Sequence, residues 1–297
     1  MCGIMGYYAF GRTMPDKKKL EDMFILLETR GTDASGFAFV DRVKNNLRVT
    51  KAEVPASKLI ESPGWQNLQL PKIMIFHTRM MTKGKPSNNM NNHPIFNKKG
   101  LAIVHNGMIY NDNEIFKKKT KRDAEVDSEA ILAVLGNTKP TKDPIKEVFE
   151  ALEGGFAVAS IDKKRPDVLT LFRKDNPIDL YYNSKDDILY FCSEREIMQE
   201  ALKINHSSRR GFSLGEEDYN FYEIGNNHAL VLNDKGVETY KEYTPKVGFW
   251  DYGFDEINDN IIVECPYCLG VTHFNWGLLD NRCEHCGMPI EAEGMYV

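Results

Sequence analysis

The chain has 297 residues, of which 42% are hydrophobic and 27% charged, and a formal net charge of −5 at pH 7. These values are usual for a soluble globular protein with a sizeable core, and the charge argues against nucleic acid as the main partner. No apolar run approaches the roughly 20 residues that span a bilayer, and no secretory signal is predicted at the N-terminus. We therefore expect a cytoplasmic protein.

The first part of the chain predicts strands around a single helix. The apolar, glycine-rich opening from Cys2 to Phe10 indicates a buried strand, and Pro15 and Asp16 are typical of a helix start. This helix is expected to end at the turn TRGTDASG. Four strand-like segments follow, with the sequences GFAFVDR, LRVTKAEV, KIMIFHTR and LAIVHNGMIY.

The second part alternates helices and strands. Helical patterns cover residues 127–135, 143–152 and 194–204, and four strand-like segments lie between the last two of these. The order of elements predicts an α+β fold with antiparallel sheets, in which two sheets stack between helical layers. A parallel βαβ sheet is not expected.

Three segments are predicted along the chain. The main domain spans residues 2–244 and ends with a hairpin over the stretch FYEIGNNHALVLNDKGVETYKEY, whose turn lies at Asn233 to Gly236. An acidic and aromatic connector, 245–264, leads to a C-terminal module, 265–297. This module is too small to be stabilised by apolar burial alone.

Cys2 is the first candidate for chemistry. Removal of Met1 would leave Cys2 with a free α-amine, whose pKa of about 7.7 to 8.0 lets it act as a base on the adjacent thiol. Such a residue needs no histidine to become a nucleophile. The alternative is that Cys2 is simply a small buried residue.

Three further stretches place polar groups beside glycines. RGTDASG, residues 30–36, favours close backbone approach to a reacting group. Arg79 at the end of a strand could bind a carboxylate with two hydrogen bonds, or form a surface ion pair. Asn106 and the backbone N–H of Gly107 could stabilise an oxyanion, although Asn-Gly is also a common turn.

Read together, these stretches resemble the glutaminase domain of the class II glutamine amidotransferases, which are N-terminal-nucleophile (Ntn) hydrolases. The domain is similar to that of glucosamine-6-phosphate synthase and amidophosphoribosyltransferase. The resemblance covers residues 2 to about 240 and rests on CGIMG, RGTDASG, HTRMMTKGKP, NNHPI, HNGMIYND and VDSEAIL, in the family's order. It implies a four-layer αββα sandwich of the Ntn-hydrolase type.

The resemblance also implies roles for individual residues. Cys2 would be the nucleophile and its own amine the base, while Asn106 and Gly107 would form the oxyanion hole. Arg79 would bind the α-carboxylate of glutamine and Asp127 its α-ammonium group. The backbone carbonyl of Gly31 would help to hold the N-terminal amine. Asp127 could in addition cap the following helix.

The chain departs from the family in the loop that closes over glutamine. The family's sugar-phosphate branch commonly has HTRWATHG, where this chain has HTRMMTKG, with Met80 and Lys83 in place of the aromatic residue and the histidine. The sequence after residue 244 is also too short for an isomerase, phosphoribosyltransferase or synthetase domain. We therefore expect a glutaminase component that passes ammonia to a synthase partner.

Four cysteines in the C-terminal module predict a metal site. Cys265 and Cys268 form one Cys-x-x-Cys pair and Cys283 and Cys286 another, a spacing typical of a structural zinc ribbon. Zinc would supply folding energy that the module lacks. A disulfide arrangement is the alternative, and His273 and His285 are candidate ligands only if a cysteine does not bind.

Other reactive side chains receive structural interpretations. Cys192 is interpreted as a buried strand residue, His77 as a core or positioning residue, and the basic run Lys117 to Arg122 as a solvated loop, with phosphate binding as its alternative.

The sequence thus predicts hydrolysis of L-glutamine through a Cys2 thioester, with the zinc module docking a synthase partner or nucleic acid. Two alternatives stay open: a catalytically degenerate scaffold that acts through its zinc module, and an Ntn amidohydrolase of another amide. The acceptor of the ammonia is not predicted.

Overall fold

The computed structural model describes residues 2–117, 121–204 and 218–246, followed in the C-terminal part by 260–264, 268, 271–275, 282–283, 285–286 and 288. The backbone divides into two compact units, Met1–Lys246 and Val247–Val297. Most of the predicted connector, 245–264, lies outside the described residues.

Strands dominate the first unit. In chain order they are β1 (Gly3–Ala9), β2 (Ala34–Asp41), β3 (Asn46–Ala52), β4 (Ile73–Arg79), β5 (Ile95–Phe96), β6 (Leu101–Ile109), β7 (Gly154–Asp162), β8 (Arg165–Lys174), β9 (Asp179–Asn183), β10 (Ile188–Cys192), β11 (Tyr219–Glu223), β12 (His228–Asn233) and β13 (Gly236–Glu242).

Helices connect these strands. They are α1 (Lys17–Leu26), α2 (Ala56–Leu59), α3 (Pro63–Gln66), α4 (Asp112–Lys117), α5 (Ser128–Asn137), α6 (Pro144–Ala151) and α7 (Arg195–Leu202), with 3-10 turns at Leu27–Arg30 and Asn89–Asn91. The side chain of Asp16 accepts a hydrogen bond from the Lys18 N–H, as expected for the residue that begins α1.

The strands form two sheets. One has the order β11-β9-β10-β1-β4-β2-β3 and the other β13-β12-β8-β7-β6-β5. Every strand pair in both sheets is antiparallel. The predicted α+β fold with two antiparallel sheets is therefore confirmed.

Alternation along each strand produces the layers. In β4, Ile73 and Ile75 face the core between the two sheets, while Met74 and Phe76 face the core under α1 and α7, as the two-residue period of a strand requires. The other sheet buries Phe149 of α6 with Phe156 and Phe172 on its outer face. The four layers are therefore αββα, as predicted.

The stretch predicted as a terminal hairpin divides between the sheets. Its turn lies between β12 and β13, as predicted, with Asn233 paired to Gly236. The residues before it form β11, which pairs with β9 of the seven-stranded sheet. The prediction of one hairpin over the whole stretch was therefore wrong, since Ile224 to Asn227 carry the chain from one sheet to the other.

In the second unit the described backbone contains one antiparallel strand pair, β14 (Asn260–Glu264) and β15 (Val271–Asn275). Among all described residues, no helix has the combined length and apolar character needed to cross a membrane.

Candidate active site

Cys2 lies just before β1, at the end of β4. Because Gly3 pairs with Thr78 across these strands, Cys2 lies beside Arg79. The Cys2 thiol is 3.5 Å from the carbonyl oxygen of Met80. Arg30 donates to the carbonyl of Cys2 at 3.3 Å, and its own guanidinium pairs with Glu194 at 2.5 Å. The first residue of the predicted mature chain is thus held by both its backbone and its side chain.

The burial of Cys2 favours the protonated thiol. Burial raises the pKa of this thiol above its ordinary value, and the Asp127 carboxylate adds to the rise, while the Arg79 guanidinium opposes it. Since a thiol in this state is a weak nucleophile, catalysis by Cys2 requires a base.

Gly31 allows two loops to touch beside Cys2. A Cβ at this position would lie 2.3 Å from the backbone nitrogen of Met80 and 2.5 Å from the carbonyl oxygen of Arg79. The contact continues at Asp33, whose N–H donates to the Arg79 carbonyl at 2.9 Å and whose carboxylate accepts from the Met81 N–H at 2.6 Å. Only glycine fits this approach without displacing the loop.

Arg79 is 2% exposed and is fixed by three hydrogen bonds. It donates to Asn92 Oδ1 at 2.8 Å, to the Lys83 carbonyl at 2.7 Å and to the Gly84 carbonyl at 2.5 Å. Sequence reasoning did not find Asn92, although it quoted the motif NNHPI in which this residue stands. A buried guanidinium needs such a partner, and this need was the available signal.

Asn106 lies in β6 and is 1% exposed. Within the described part of the chain, neither Oδ1 nor Nδ2 of its amide has a hydrogen-bond partner. An unsatisfied buried amide costs about 1–3 kcal/mol, so such a group is expected where a ligand supplies the missing bonds. Gly107 follows with a φ of 142°, and a Cβ there would lie 2.1 Å from the Gly155 carbonyl oxygen.

One hydrogen bond joins the two sheets next to these residues. His77 Nε2 of β4 lies 3.0 Å from the carbonyl oxygen of His105 in β6. His105 precedes Asn106, and His77 is two residues before Arg79. This bond therefore brings the unpaired Asn106 amide to the end of the sandwich that holds Cys2 and Arg79.

Asp127 precedes α5 but does not cap it. Its side chain makes no capping hydrogen bond, and Oδ2 instead accepts the Ile109 N–H of β6 at 2.7 Å. The suggestion that Asp127 also serves as a helix cap was therefore wrong. Its carboxylate acts on the charges of both Cys2 and Arg79, so a cation and an anion flank the thiol.

A buried ion cluster that the sequence did not predict holds the loop after Arg79. Asp112 Oδ2 accepts from the Lys83 ammonium at 2.6 Å and from the Arg122 guanidinium at 2.7 Å. Burial raises the pKa of Asp112, but the bonds from Lys83 and Arg122 outweigh it and lower the pKa overall.

Arg122 also donates to three backbone carbonyls, of Ala124, Glu125 and Val126. Its interpretation as part of a solvated loop was wrong.

Three buried histidines lie behind the site. The rings of His77 and His93 stack at 4.2 Å, and His105 Nδ1 lies 2.8 Å from Ser128 Oγ. Burial lowers the pKa of all three, that of His77 to about 3. The interpretation of His77 as a core or positioning residue agrees with this burial, and none of the three is suited to act as a base at neutral pH.

The remaining cysteines fall into two groups. Cys192 is fully buried in β10, and burial raises the pKa of its thiol to about 12, which agrees with a structural role. In the second unit, the sulfur atoms of Cys268, Cys283 and Cys286 lie within 4.8 Å of one another. Three convergent thiols suit a soft cation such as zinc. Cys265 lies outside the described residues, as does the side chain of His273, and His285 is exposed.

Comparisons with known proteins bear on this constellation. Residues 77–200 match the sequence model of a family described as "Glutamine amidotransferase domain", a span that includes Arg79, Asn106, Gly107 and Asp127. A glutamine–fructose-6-phosphate aminotransferase (isomerizing) of Clostridium perfringens is 29% identical over 281 residues, which are 87% of this chain and 42% of that protein. The enzyme of the same name from Francisella tularensis is 34% identical over 189 residues, 60% of this chain and 29% of that protein.

Solved structures agree in fold. Glutamine phosphoribosylpyrophosphate amidotransferase from Bacillus subtilis superposes with a TM-score of 0.63 at 16% identity, covering 81% of this chain and 49% of that one. A glutamine aminotransferase class-II domain protein from Silicibacter pomeroyi gives a TM-score of 0.51 at 14% identity, covering 82% and 99%. The chain spans about two fifths of the length of the first curated relatives that it matches.

Proposed function

Because the chain carries a glutamine amidotransferase domain of class II, we propose that it hydrolyses L-glutamine to L-glutamate and ammonia through a thioester on Cys2. The observation that carries this proposal is the buried Asn106 amide, which has no partner among the described residues and lies at the end of the sandwich that holds a half-buried thiol. We further propose that the reaction is cytoplasmic.

The proposed reaction uses the α-amine that removal of Met1 leaves on Cys2. The amine accepts the thiol proton, because burial raises the pKa of this thiol and keeps it protonated at rest. The sulfur attacks the side-chain amide carbon of glutamine, and the oxyanion accepts hydrogen bonds from Asn106 Nδ2 and the Gly107 N–H. The carbon–nitrogen bond then breaks, and the protonated amine returns its proton to the leaving nitrogen as ammonia forms. Water hydrolyses the thioester by the same route.

The substrate's two charged groups would be recognised by Arg79 and Asp127. A guanidinium suits the α-carboxylate and a carboxylate suits the α-ammonium group, and the pair flanks the thiol. The backbone bonds that fix Arg79 and Asp127 would hold both before glutamine arrives. The Gly31 carbonyl is proposed to hold the N-terminal amine. A free amino acid is therefore favoured over a larger amide substrate.

Substitution of Asn106 tests the proposal against a matched asparagine. Asn106→Ala should lower kcat about 100- to 1,000-fold with little change in thermal stability, since its amide has no bond to lose within the described residues. Asn111→Ala should lower thermal stability with little change in kcat, because the Asn111 amide donates to the Ala151 carbonyl and accepts from the Glu153 N–H. Full glutaminase activity in Asn106→Ala or in Cys2→Ala would refute the proposal.

The ammonia is proposed to aminate an acceptor on a synthase domain or partner. The relatives are named as aminotransferases of glutamine and fructose 6-phosphate, which supports transfer over simple release. The test compares ammonia release with acceptor amination in the presence of candidate synthases. Amination that proceeds equally well with Cys2→Ala and glutamine would contradict transfer from this site.

The second unit is proposed to bind one structural zinc ion through Cys265, Cys268, Cys283 and Cys286. The proximity of three of these sulfur atoms supports it. Metal analysis should find about one zinc per chain, and Cys283→Ser/Cys286→Ser should remove it while glutaminase activity persists. Zinc retained by this double variant would overturn the proposal.

A further inference from the structure

A cavity of about 360 Å³ lies beside the first unit's candidate active site but outside it. Cys2, Arg79, Asn106 and Asp127 do not line this cavity. Its walls come from separate elements: Ile95 and Phe96 from β5, Phe116 from α4 and Leu132 from α5. The volume falls within the range of small-molecule pockets. We name this space the Lys51 cavity.

Apolar and aromatic groups are available in the Lys51 cavity. Phe96 is 41% exposed although it lies in a strand, and Met90 nearby is 44% exposed. Ile95 and Leu132 form a buried apolar floor between β5 and α5. An exposed aromatic face beside an apolar floor is suited to a flat ring of a ligand.

The rim of the cavity is cationic. Lys98, Lys99 and Lys121 are exposed and join the half-buried Lys51 around the opening. Two acids also line the cavity, Asp123 and Glu129. Glu129 is engaged by the backbone N–H groups of Asp123 and Ala124 at 2.7 and 3.0 Å. Four lysines against two acids leave a net positive opening, which favours a multiply charged anion.

Lys51 connects this cavity to the candidate active site. Its ammonium lies 5.4 Å from the Phe96 ring centre and donates to the Asn92 carbonyl at 2.6 Å. Asn92 in turn accepts a hydrogen bond from Arg79. Burial, and then the charge of Arg79, lower the pKa of Lys51 to about 8. A nearby anion would favour the charged form of this lysine.

We propose that the Lys51 cavity binds a small phosphorylated molecule with an aromatic body, of the size of a nucleoside monophosphate. The lysines take the phosphate, which Lys binds as a point charge, and the Phe96 face with the apolar floor takes the ring. This assigns a place to the phosphate-binding alternative for the run Lys117 to Arg122 through Lys121, while Arg122 belongs to the Asp112 cluster.

Calorimetric titration of the full chain with the four common nucleoside 5′-monophosphates tests the site. At least one should bind with a Kd below about 1 mM. Lys98→Glu/Lys121→Glu should weaken that binding by at least about tenfold, whereas Lys44→Glu/Lys235→Glu makes the same charge change at exposed turns that do not line the cavity and should not. Thermal unfolding checks that both variants fold.

Two fragments of the nucleotide test the phosphate-binding and ring-binding parts of the proposal separately. Inorganic phosphate and the free nucleoside should each bind more weakly than the nucleotide. Failure of all four nucleotides to bind, equal weakening in the two double variants, or phosphate alone binding as tightly as the nucleotide would each overturn the proposal.

Occupancy of the cavity should also change the affinity of the candidate active site for glutamine. This coupling is the one part of the inference that rests on the proposed function. An anion near Lys51 lowers the positive potential at Arg79, so it should weaken glutamine binding by about twofold or more. By linkage, glutamine must weaken the nucleotide by the same factor. The nucleotide Kd is therefore measured with Cys2→Ala, which cannot turn over glutamine, in the presence and absence of glutamine. An unchanged Kd would overturn the coupling, while nucleotide binding without glutamine tests the site independently of glutaminase activity.

Discussion

At the scale of single residues, Gly31 leaves no room for a larger side chain. The Cβ of an alanine there would meet backbone atoms of Arg79 and Met80 within 2.5 Å, and backbone atoms cannot rotate away as side chains can. The loop that carries Arg79 would have to move. Because a shift of about 1 Å at a site can cost about 100-fold in rate, Gly31→Ala should lower kcat/KM for glutamine by about that factor and also lower Tm.

Gly64→Ala is the matched control for this substitution. A Cβ at Gly64, in α3, would have Ser62 Oγ as its nearest neighbour at 4.0 Å. This variant should keep wild-type kcat/KM, and its Tm should be unchanged or slightly higher, since alanine restricts the unfolded chain. Wild-type activity in Gly31→Ala would show that the two loops need not touch.

Residue types and their spacing could predict some of these positions but not their partners. Arg79 and Asn106 each stand beside a glycine or a glycine-containing loop, so their motifs were visible. Asn92 and Asp112 act through bonds to Arg79, Lys83 and Arg122. Such bonds depend on the tertiary arrangement of loops, which no local pattern in the sequence specifies.

At the scale of elements, the segment from Met80 to Pro86 is held by ion pairing. The Lys83 carbonyl accepts from Arg79 and the Lys83 ammonium pairs with Asp112, so one residue ties the guanidinium to the buried cluster. Lys83→Met keeps the carbonyl but removes the charge. We expect KM for glutamine to rise by about three- to tenfold, equal to about 0.6–1.4 kcal/mol, with a smaller change in kcat.

Lys58→Met serves as the control for Lys83→Met. Lys58 is a 63% exposed side chain in a surface pair with Glu61, and such pairs contribute little. Its steady-state kinetics should equal those of the wild type. If Lys83→Met raised KM no more than Lys58→Met does, the ion cluster would have no part in positioning the loop.

The long strands could be predicted because most of their residues are apolar and buried. In β4 and β6 apolar residues recur in the pattern of a strand, and the sequence identified both. β11 has one half-buried residue followed by four exposed ones, and β5 has only two residues. Neither strand has an alternation of apolar and polar residues long enough to predict it, so their places in the two sheets could be known only from the fold.

At the scale of the whole molecule, the two sheets meet through buried histidines as well as apolar residues. His77, His93 and His105 all lie at 4% exposure or less, and burial lowers the pKa of each below its ordinary value. Below about pH 6.5 the unfolded chain binds protons at these positions and the folded chain does not. Folding stability therefore falls as pH falls, by up to about 1.4 kcal/mol per pH unit for each histidine.

Urea unfolding between about pH 7.5 and about pH 5.5 measures this loss as a decrease in the free energy of unfolding. His93→Gln removes one titrating group. The slope of the free energy of unfolding against pH should therefore fall by the equivalent of about one proton. If His93→Gln does not fold, titration of the ring resonances of the wild-type histidines serves as the test and should show three rings that titrate below the ordinary range of histidine. A flat stability profile, or three rings that titrate near pH 6.5, would mean that the sheets are not joined by neutral imidazoles.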